Sequence, residues 1–282
     1  YTLNPLFILC VSLAAGAAGQ FFIYAGKNIV PGLILFLSGI VLFIFCDRQK
    51  ADELKPVQIP LKAEAAMFVL ILAIAGFFRF YNIDKVPAGC FVDEAQNGFD
   101  ALKIIKGELP VYVGFSTHNA ALYLYLIADM FMAFGAGVTQ IRGTSALLGF
   151  LTVPAVYFLL RRTIGVPAAI TGGLILAFMR WHVNFSRIGY HAAFAVLMFV
   201  LVLYFAYRIY KNRKWADFII FGIVLGVSQN TYQAARLIPV WLLLAGIYVF
   251  FKDRDFYVKN LKKIITSAGI AFIICLPLIG FA

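Results

Sequence analysis

Residues 87–106 read PAGCFVDEAQNGFDALKIIK and place two adjacent acids, Asp93 and Glu94, at the head of a short amphipathic helix. Long apolar runs lie on both sides of this stretch, as expected for membrane-spanning helices. Acids in the first turn of a helix complement its dipole, so capping is one explanation of the pair. The other explanation is chemistry at a membrane surface, where a carboxylate near arginines stays charged and can take a proton from a hydroxyl. Neighbouring side chains on a helix point about 100° apart, so the two acids would have separate roles.

The composition is that of an all-α polytopic membrane protein. Of the 282 residues, 63% are hydrophobic and 13% are charged, whereas about 25% of the residues in a soluble domain are charged. The net charge is +11, and the basic residues cluster in short segments between apolar runs, which is the distribution that keeps positive charge in the cytoplasm. We therefore expect membrane lipids as partners and no nucleic acid. The four cysteines show no metal-ligand spacing and predict no disulfide framework.

Nine of the ten apolar runs are predicted to cross the membrane. The exception is 120–134, which has about 15 residues and carries Asp129, and is short for a span. If this run lies at the interface as an amphipathic helix, all the basic segments fall on one side and the N-terminus is inside. Residues 81–142 then form a large outer loop with two interfacial helices. The predicted spans are about 5–24, 31–46, 63–80, 143–160, 166–180, 191–210, 216–231, 236–251 and 264–282.

The predicted organisation has two parts. Residues 1–62 would hold two N-terminal spans and a cytoplasmic loop, and residues 63–282 would form the transmembrane catalytic module, with the outer catalytic loop at 81–142. The chain starts at Tyr1 and stops at Ala282 inside an apolar run. We therefore expect it to be part of a longer protein and to be incomplete at its C-terminus.

Polar residues that are costly in a membrane gather at the predicted outer face. Arg187, in NFSRIGYHAAF, is either a snorkelling arginine at the end of a span or a phosphate clamp, because a guanidinium matches phosphate oxygens. Arg236, in SQNTYQAARLIPV, has the same two interpretations. It lies just inside a helix start, where the positive end of the dipole disfavours a bare cation and favours a bound anion. Arg236 is therefore the stronger candidate for phosphate.

The three histidines at this face, His118, His182 and His191, are weaker candidates. Isolated histidines are more often hydrogen-bonded structural residues than ligands. Two of them close to Glu94 would make a divalent-cation site, but their spacing along the sequence does not test this.

Taken in order, these segments resemble the GT-C glycosyltransferases, and within them the superfamily of protein O-mannosyltransferases and aminoarabinose transferases. The resemblance covers roughly residues 63–250. Its features are the arginine that ends the preceding span, the DEA motif that opens a helix, LKIIKGELPVY, HNAALYLYLIADMFMAFG leading to Arg142, LLRRTIG, FMRWHVNFSRIGYHAAF and NTYQAARLIP.

The resemblance implies an inverting glycosyltransferase whose sugar donor is carried on a polyprenyl phosphate and whose acceptor is a lipid, a glycan or a protein. Asp93 would be the catalytic base that deprotonates the acceptor hydroxyl. Glu94 would assist it in acceptor or metal binding. Many members have a second acid where this chain has His191, so a divalent cation held by Glu94 and His191 is kept as an open alternative, and no other cofactor is implied.

The same resemblance assigns the remaining polar residues of the outer face. The donor phosphate would be held by Arg187, Arg236 and Arg79. The substrate would be contacted by His118, Tyr190, Tyr232 and Gln233.

Two other functions are left open by the sequence. A transporter or flippase of lipid-linked substrates would explain the spans and the polar groups, although it predicts mid-span polar residues and inverted repeats. A non-catalytic glycosyltransferase-like subunit would bind the lipid-linked sugar without turnover. In each case we expect a multi-pass protein of a bacterial or archaeal cytoplasmic membrane, with its site facing outside.

Overall fold

The computed structural model describes residues 10–39, with gaps at 13, 20–29 and 36, and residues 59–113 and 119–280. The chain divides into two compact units, Tyr1–Val57 and Gln58–Ala282. Described residues of the first unit are helical within 10–19 and 30–39, and the spans predicted at its two apolar runs lie partly outside the described residues. The second unit contains all the candidate site residues.

The described part of the second unit is almost entirely helical. A short antiparallel strand pair joins Tyr112 to Ala120 and Val113 to Asn119. In chain order the elements are α1 (Leu61–Phe80), α2 (Val92–Ile105), β1 (Tyr112–Val113), β2 (Asn119–Ala120), α3 (Leu122–Phe134), α4 (Val138–Thr163), α5 (Val166–Phe178), α6 (Arg180–Arg187), α7 (Ala192–Asn212), α8 (Trp215–Gln229), a 3₁₀ turn (Gln233–Leu237), α9 (Ile238–Lys252) and α10 (Arg254–Ile279).

Five segments are long and apolar enough to cross a membrane, namely α1, α4, α7, α10 and the 3₁₀ turn taken together with α9. Helices α5 and α6 qualify only as a pair, which bends by 53° at its break. Helix α8 has 15 residues, fewer than a span usually needs. The all-α membrane class is therefore confirmed. In residues 59–113 and 119–280 there are five such segments, or six with the bent pair, where the sequence predicted seven.

Helix α3 occupies the run that was predicted not to cross. Its 13 residues are about 20 Å long, well short of the roughly 30 Å hydrocarbon core of a bilayer. One face of α3, with Tyr123, Leu124 and Ile127, is completely buried and packs against α2 and α4. Helix α3 therefore forms part of the core that supports α2 and the start of α4.

The helices place basic and acidic residues at one end of the unit. Glu64, in the first turn of α1, pairs with Arg161 in the last turn of α4, and Arg213, after α7, pairs with Asp253 at 2.9 Å. We call this the basic end. The opposite end, which we call the loop end, consists of residues 81–137, 179–191 and 230–237.

Candidate functional site

A buried ion pair between Glu94 and Arg142 lies at the centre of the loop end. Glu94 is 1% exposed and Arg142 is 0% exposed. The guanidinium of Arg142 donates to both carboxylate oxygens of Glu94, from Nε at 2.9 Å and from Nη2 at 3.2 Å. Its other N–H groups donate to the carbonyls of Ile83, Pro87 and Gly89. All five donors of the arginine are therefore used.

The carboxylate oxygens of Glu94 also have all their hydrogen-bonding positions filled. Besides the two bonds from Arg142, its carboxylate accepts the backbone N–H of Phe91 at 2.9 Å and that of Gly189 at 2.9 Å. Burial opposes ionisation of this group, but the bonds from Arg142 and the two backbone donors outweigh it and hold the pKa of Glu94 below its usual range. Because each oxygen already accepts two hydrogen bonds, Glu94 caps α2 and joins it to α4 and the loop after α6. These contacts do not support the catalytic or metal-binding role predicted for Glu94.

Arg79 is 0% exposed and stabilises the bend between α5 and α6. Its guanidinium donates to the carbonyls of Leu176 and Ala177, at 3.1 and 2.9 Å, in the last turn of α5. It also contacts Nδ1 of His182 at 2.8 Å. A helix end leaves carbonyls without intrahelical partners, and these are costly in a membrane. A fully buried arginine that bonds such carbonyls does not match the phosphate role predicted for Arg79.

Arg187 has a similar arrangement at the end of α1. It is 9% exposed, and its guanidinium donates to the carbonyls of Phe78, Tyr81 and Val86 at 2.8, 2.8 and 2.7 Å. These bonds hold the turn that leads from α1 towards α2. The predicted phosphate contact of Arg187 would have to compete with them.

Arg236 has different surroundings from Arg79, Arg142 and Arg187. Its side chain is exposed, and its guanidinium lies 5.8 Å from the ring centre of Tyr112. It also lines a cavity of about 420 Å³ between α8, the 3₁₀ turn and α10, whose other walls include Leu225, Gln229 and Cys275. Among the described residues no hydrogen bond or ion pair occupies its guanidinium, so Arg236 can bind an anion.

Side chains bond all four backbone polar groups of the dipeptide Gly189–Tyr190. The N–H of Gly189 donates to Glu94, and its carbonyl accepts from Asn97 Nδ2 at 2.8 Å. The N–H of Tyr190 donates to Ser145 Oγ at 3.1 Å, and Ser145 Oγ donates to the carbonyl of Tyr190 at 3.2 Å. Helices α2 and α4 therefore fix this segment from two directions.

The Tyr190 side chain packs against that of Tyr232, with ring centres 5.9 Å apart. The hydroxyl groups of Tyr190 and Tyr232 are 3.4 Å apart. The bond to Tyr232, burial, and the nearby charges of Tyr232 and Asp93 raise the pKa of Tyr190 to about 12. Tyr190 therefore remains a neutral phenol at physiological pH.

Asp93 is half-buried in the first turn of α2. Within residues 59–113 and 119–280 its carboxylate has no hydrogen-bond or ion-pair partner. It therefore differs sharply from the adjacent Glu94. Of the two acids, Asp93 is the one whose oxygens remain available to a ligand.

The structure describes two of the three remaining residues that were predicted to contact the substrate or a metal. His118 lies outside the described residues. Gln233 is exposed at the start of the 3₁₀ turn, next to Tyr232. His191 is 0% exposed, and its ring packs on that of Tyr123 with centres 4.6 Å apart.

The donor set for the predicted cation at Glu94 and His191 does not fit a metal ion. The Glu94 oxygens are already saturated, and no group of three or more His, Cys, Asp or Glu side chains within the described ranges is arranged to hold a cation. The two nitrogens of His191 are buried without a hydrogen-bond partner in the described part of the chain. Burial lowers the pKa of His191 to about 4, so this ring is neutral.

Comparison with known proteins identifies the family. A family model described as dolichyl-phosphate-mannose-protein mannosyltransferase matches residues 118–281, more than half of the chain. The chain belongs to this family. It is therefore a membrane glycosyltransferase of the GT-C fold, as the sequence motifs predicted. No curated protein and no solved structure shows a significant match to the chain.

The matched stretch of the mannosyltransferase family includes Arg142, Tyr190 and Arg236, whereas Asp93 lies before it. Sequence reasoning missed the structural importance of Arg142. A signal existed, because an arginine near the start of a long apolar helix needs an acidic partner. Several acids precede it in the loop, however, and their order along the chain does not show which one pairs.

Proposed function

We propose that this protein transfers a sugar from a polyprenyl-phosphate donor to an acceptor hydroxyl, with Asp93 as the catalytic base. The observation that carries the proposal is the contrast within the acid pair. Glu94 is buried and saturated by Arg142 and two backbone donors, while Asp93 is half-exposed and has no ion-pair partner among the described residues. A base must reach the proton that it removes, and Asp93 can do so.

The proposed step is a single displacement at the anomeric carbon. Asp93 takes the proton of the acceptor hydroxyl, and the acceptor oxygen forms the new bond to this carbon. The bond from the carbon to the phosphate oxygen breaks, and the polyprenyl phosphate leaves with the electron pair. Attack opposite to the leaving group inverts the configuration of the carbon. No part of this step requires a metal ion.

Arg236 is the proposed site for the donor phosphate. Its guanidinium is exposed just before α9, where the helix dipole also favours an anion. The cavity beside it is lined mainly by apolar side chains, including Leu225, Pro239 and Leu278. A charged head next to an apolar cavity matches the chemistry of a lipid phosphate. In this proposal Arg79 and Arg187 support the helix ends and do not contact the donor.

The loop end is proposed to face outside. Basic side chains concentrate at the basic end, at the close of α4, around the α7–α8 turn and between α9 and α10. Positive charge of this kind is retained in the cytoplasm. Asp93, Tyr190 and Arg236 would then meet the donor at the outer leaflet.

The proposal is tested by Asp93→Asn in membranes supplied with a labelled polyprenyl-phosphate sugar and an acceptor. Removing a general base typically lowers the rate by about 10²–10⁴-fold, and we expect a loss in this range. Asp84→Asn is the matched control, because Asp84 is an exposed acid in the segment that precedes α2; it should keep the wild-type rate. Full transfer by Asp93→Asn at equal protein level would rule out Asp93 as the base.

The phosphate contact is tested in the same assay. Arg236→Ala should raise the KM for the donor by roughly 10–100-fold, since a hydrogen bond to a charged group contributes about 1.5–3 kcal/mol. Arg180→Ala is the control, because Arg180 is another exposed arginine of the loop end. Equal donor KM values for the two variants would remove Arg236 from the phosphate site.

A further inference from the structure

A buried hydroxyl pair lies behind Tyr190. Tyr123, on α3, and Ser145, on α4, are both 0% exposed, and their oxygens are 2.6 Å apart. Ser145 Oγ also contacts both backbone polar groups of Tyr190. The pair therefore connects the core helix α3 to the backbone of a residue that faces the candidate site.

The direction of each hydrogen bond in this pair follows from the groups involved. The carbonyl of Tyr190 can only accept, so Ser145 uses its single proton there. The N–H of Tyr190 can only donate, and it is shared between Ser145 Oγ at 3.1 Å and the Ile188 carbonyl at 2.8 Å. The Tyr123 hydroxyl must then donate to the remaining lone pair of Ser145 Oγ. Every hydrogen-bonding position of the Ser145 hydroxyl is filled, and loss of the Tyr123 hydroxyl leaves one lone pair of this buried oxygen without a donor.

The phenol of Tyr190 has a defined geometry on the site side. Its ring centre lies 5.9 Å from that of Tyr232, with the two planes at 65°, and Asp93 lies close enough for its charge to influence the Tyr190 hydroxyl. The two aromatic rings with their hydroxyl groups combine apolar faces with hydrogen-bonding groups. This combination suits a sugar, which presents C–H faces and hydroxyls.

We propose that Tyr123 and Ser145 are positioning residues, which fix Tyr190 so that its phenol, together with Tyr232, holds the donor sugar opposite Asp93. The inference rests on the proposed function for the identity of the ligand. The fixing of Tyr190 itself depends only on the contacts around it. Glu94 and Asn97 hold the preceding Gly189, and the Tyr123–Ser145 pair supplies a second support at the backbone of Tyr190 itself.

The first test is independent of catalysis. Tyr123→Phe removes only the hydroxyl that donates to Ser145, whereas Tyr125→Phe, on the same helix, removes a hydroxyl that donates to the Pro110 carbonyl at 3.1 Å. Hydrogen–deuterium exchange of the peptide covering residues 188–191 should be up to about tenfold faster in Tyr123→Phe, since a hydrogen bond contributes about 0.5–1.5 kcal/mol, and unchanged in Tyr125→Phe. Equal exchange in the two purified variants would overturn the positioning role.

The second test is a double-mutant cycle on transfer. Tyr123→Phe should lower kcat by about 10–100-fold, the range expected when a contact group is misplaced by up to about 1 Å, with little change in the donor KM. If Tyr123 acts through the phenol of Tyr190, adding Tyr123→Phe to Tyr190→Phe should cost less than about twofold more. Multiplying losses would show a general structural effect and overturn the inference.

The outcomes separate this inference from the proposed function. If transfer requires Asp93 but keeps the wild-type rate in Tyr123→Phe, the positioning role is overturned and the proposed function is left intact. Absence of transfer by the wild type would contradict the proposed function, and the exchange comparison would still decide whether Tyr123 fixes Tyr190.

Discussion

The buried pair of Glu94 and Arg142 predicts a large loss of stability for Glu94→Gln. Glutamine keeps the shape of the side chain but replaces one carboxylate oxygen by an NH₂ group and removes the charge. In the wild type both oxygens accept only N–H donors, from Arg142, Phe91 and Gly189. Whichever way the amide is turned, its NH₂ group therefore faces two donors.

The magnitude follows from the burial of the partner. Arg142 is 0% exposed, so the variant leaves its positive charge in the interior with only the carbonyls of Ile83, Pro87 and Gly89. Breaking a buried ion pair by removing one partner costs about 3–5 kcal/mol. At about 2–4 °C per kcal/mol for a chain of this size, the unfolding temperature should fall by roughly 6–20 °C.

The assay is thermal unfolding of the purified protein in detergent. Glu108→Gln is the matched control, because Glu108 is an exposed acid in the same loop, and it should unfold with the wild type. Arg142→Met should be destabilised as strongly as Glu94→Gln, and the double variant should lose much less than the sum of the two. An unfolding temperature for Glu94→Gln equal to that of Glu108→Gln would refute the reasoning from the buried pair.

Two further predictions concern pH and helix packing. Although burial opposes ionisation, the bonds from Arg142 lower the pKa of Glu94 in the folded protein. Its stabilising effect is therefore present above the unfolded pKa of about 4.3 and is lost as the pH falls through the lower folded pKa. The difference in unfolding temperature between the wild type and Glu94→Gln should shrink as the pH is lowered below about 4.3, and a constant difference would contradict this. A Cβ at Gly222 would lie 2.5 Å from the Ser267 carbonyl oxygen on α10. Gly222→Ala should therefore push α8 and α10 apart and lower the free energy of unfolding by about 1–3 kcal/mol. Gly269→Ala is the control, because no neighbouring atom lies within 4 Å of the added Cβ, and it should be neutral or stabilising in the same unfolding assay.

Hydropathy and charge were sufficient to predict the fold class and the position of most helices. The run at 120–134 was set apart by its length, and α3, which occupies it, has 13 residues. The bend at the end of the predicted span 166–180, and the helix α6 that follows it, are not evident from the sequence. The bend depends on Arg79, nearly 100 residues earlier, which bonds the carbonyls that α5 leaves open at its end. A hydropathy pattern indicates the structure that one segment favours by itself, whereas this bend is stabilised by a contact between helices that are distant in sequence.

The arginines show what sequence can and cannot predict about the site. Arg79, Arg142, Arg187 and Arg236 each adjoin an apolar run, so composition alone does not separate snorkelling from phosphate binding. Position within the helix separates them better. Arg79 and Arg187 lie in the last turns of their helices, where open carbonyls attract cations, and the structure finds both bonded to carbonyls.

Arg236 lies just before α9, where N–H groups replace carbonyls and a cation is unfavourable unless an anion joins it. This argument ranked Arg236 above Arg187 from the sequence, and the exposed guanidinium is consistent with it. For Arg142, which also lies near the start of a helix, the argument would wrongly predict a bound ligand. There the required anion is supplied by the protein itself as Glu94. An arginine at a helix start therefore predicts an anion, and only the fold shows whether that anion is a side chain or a ligand.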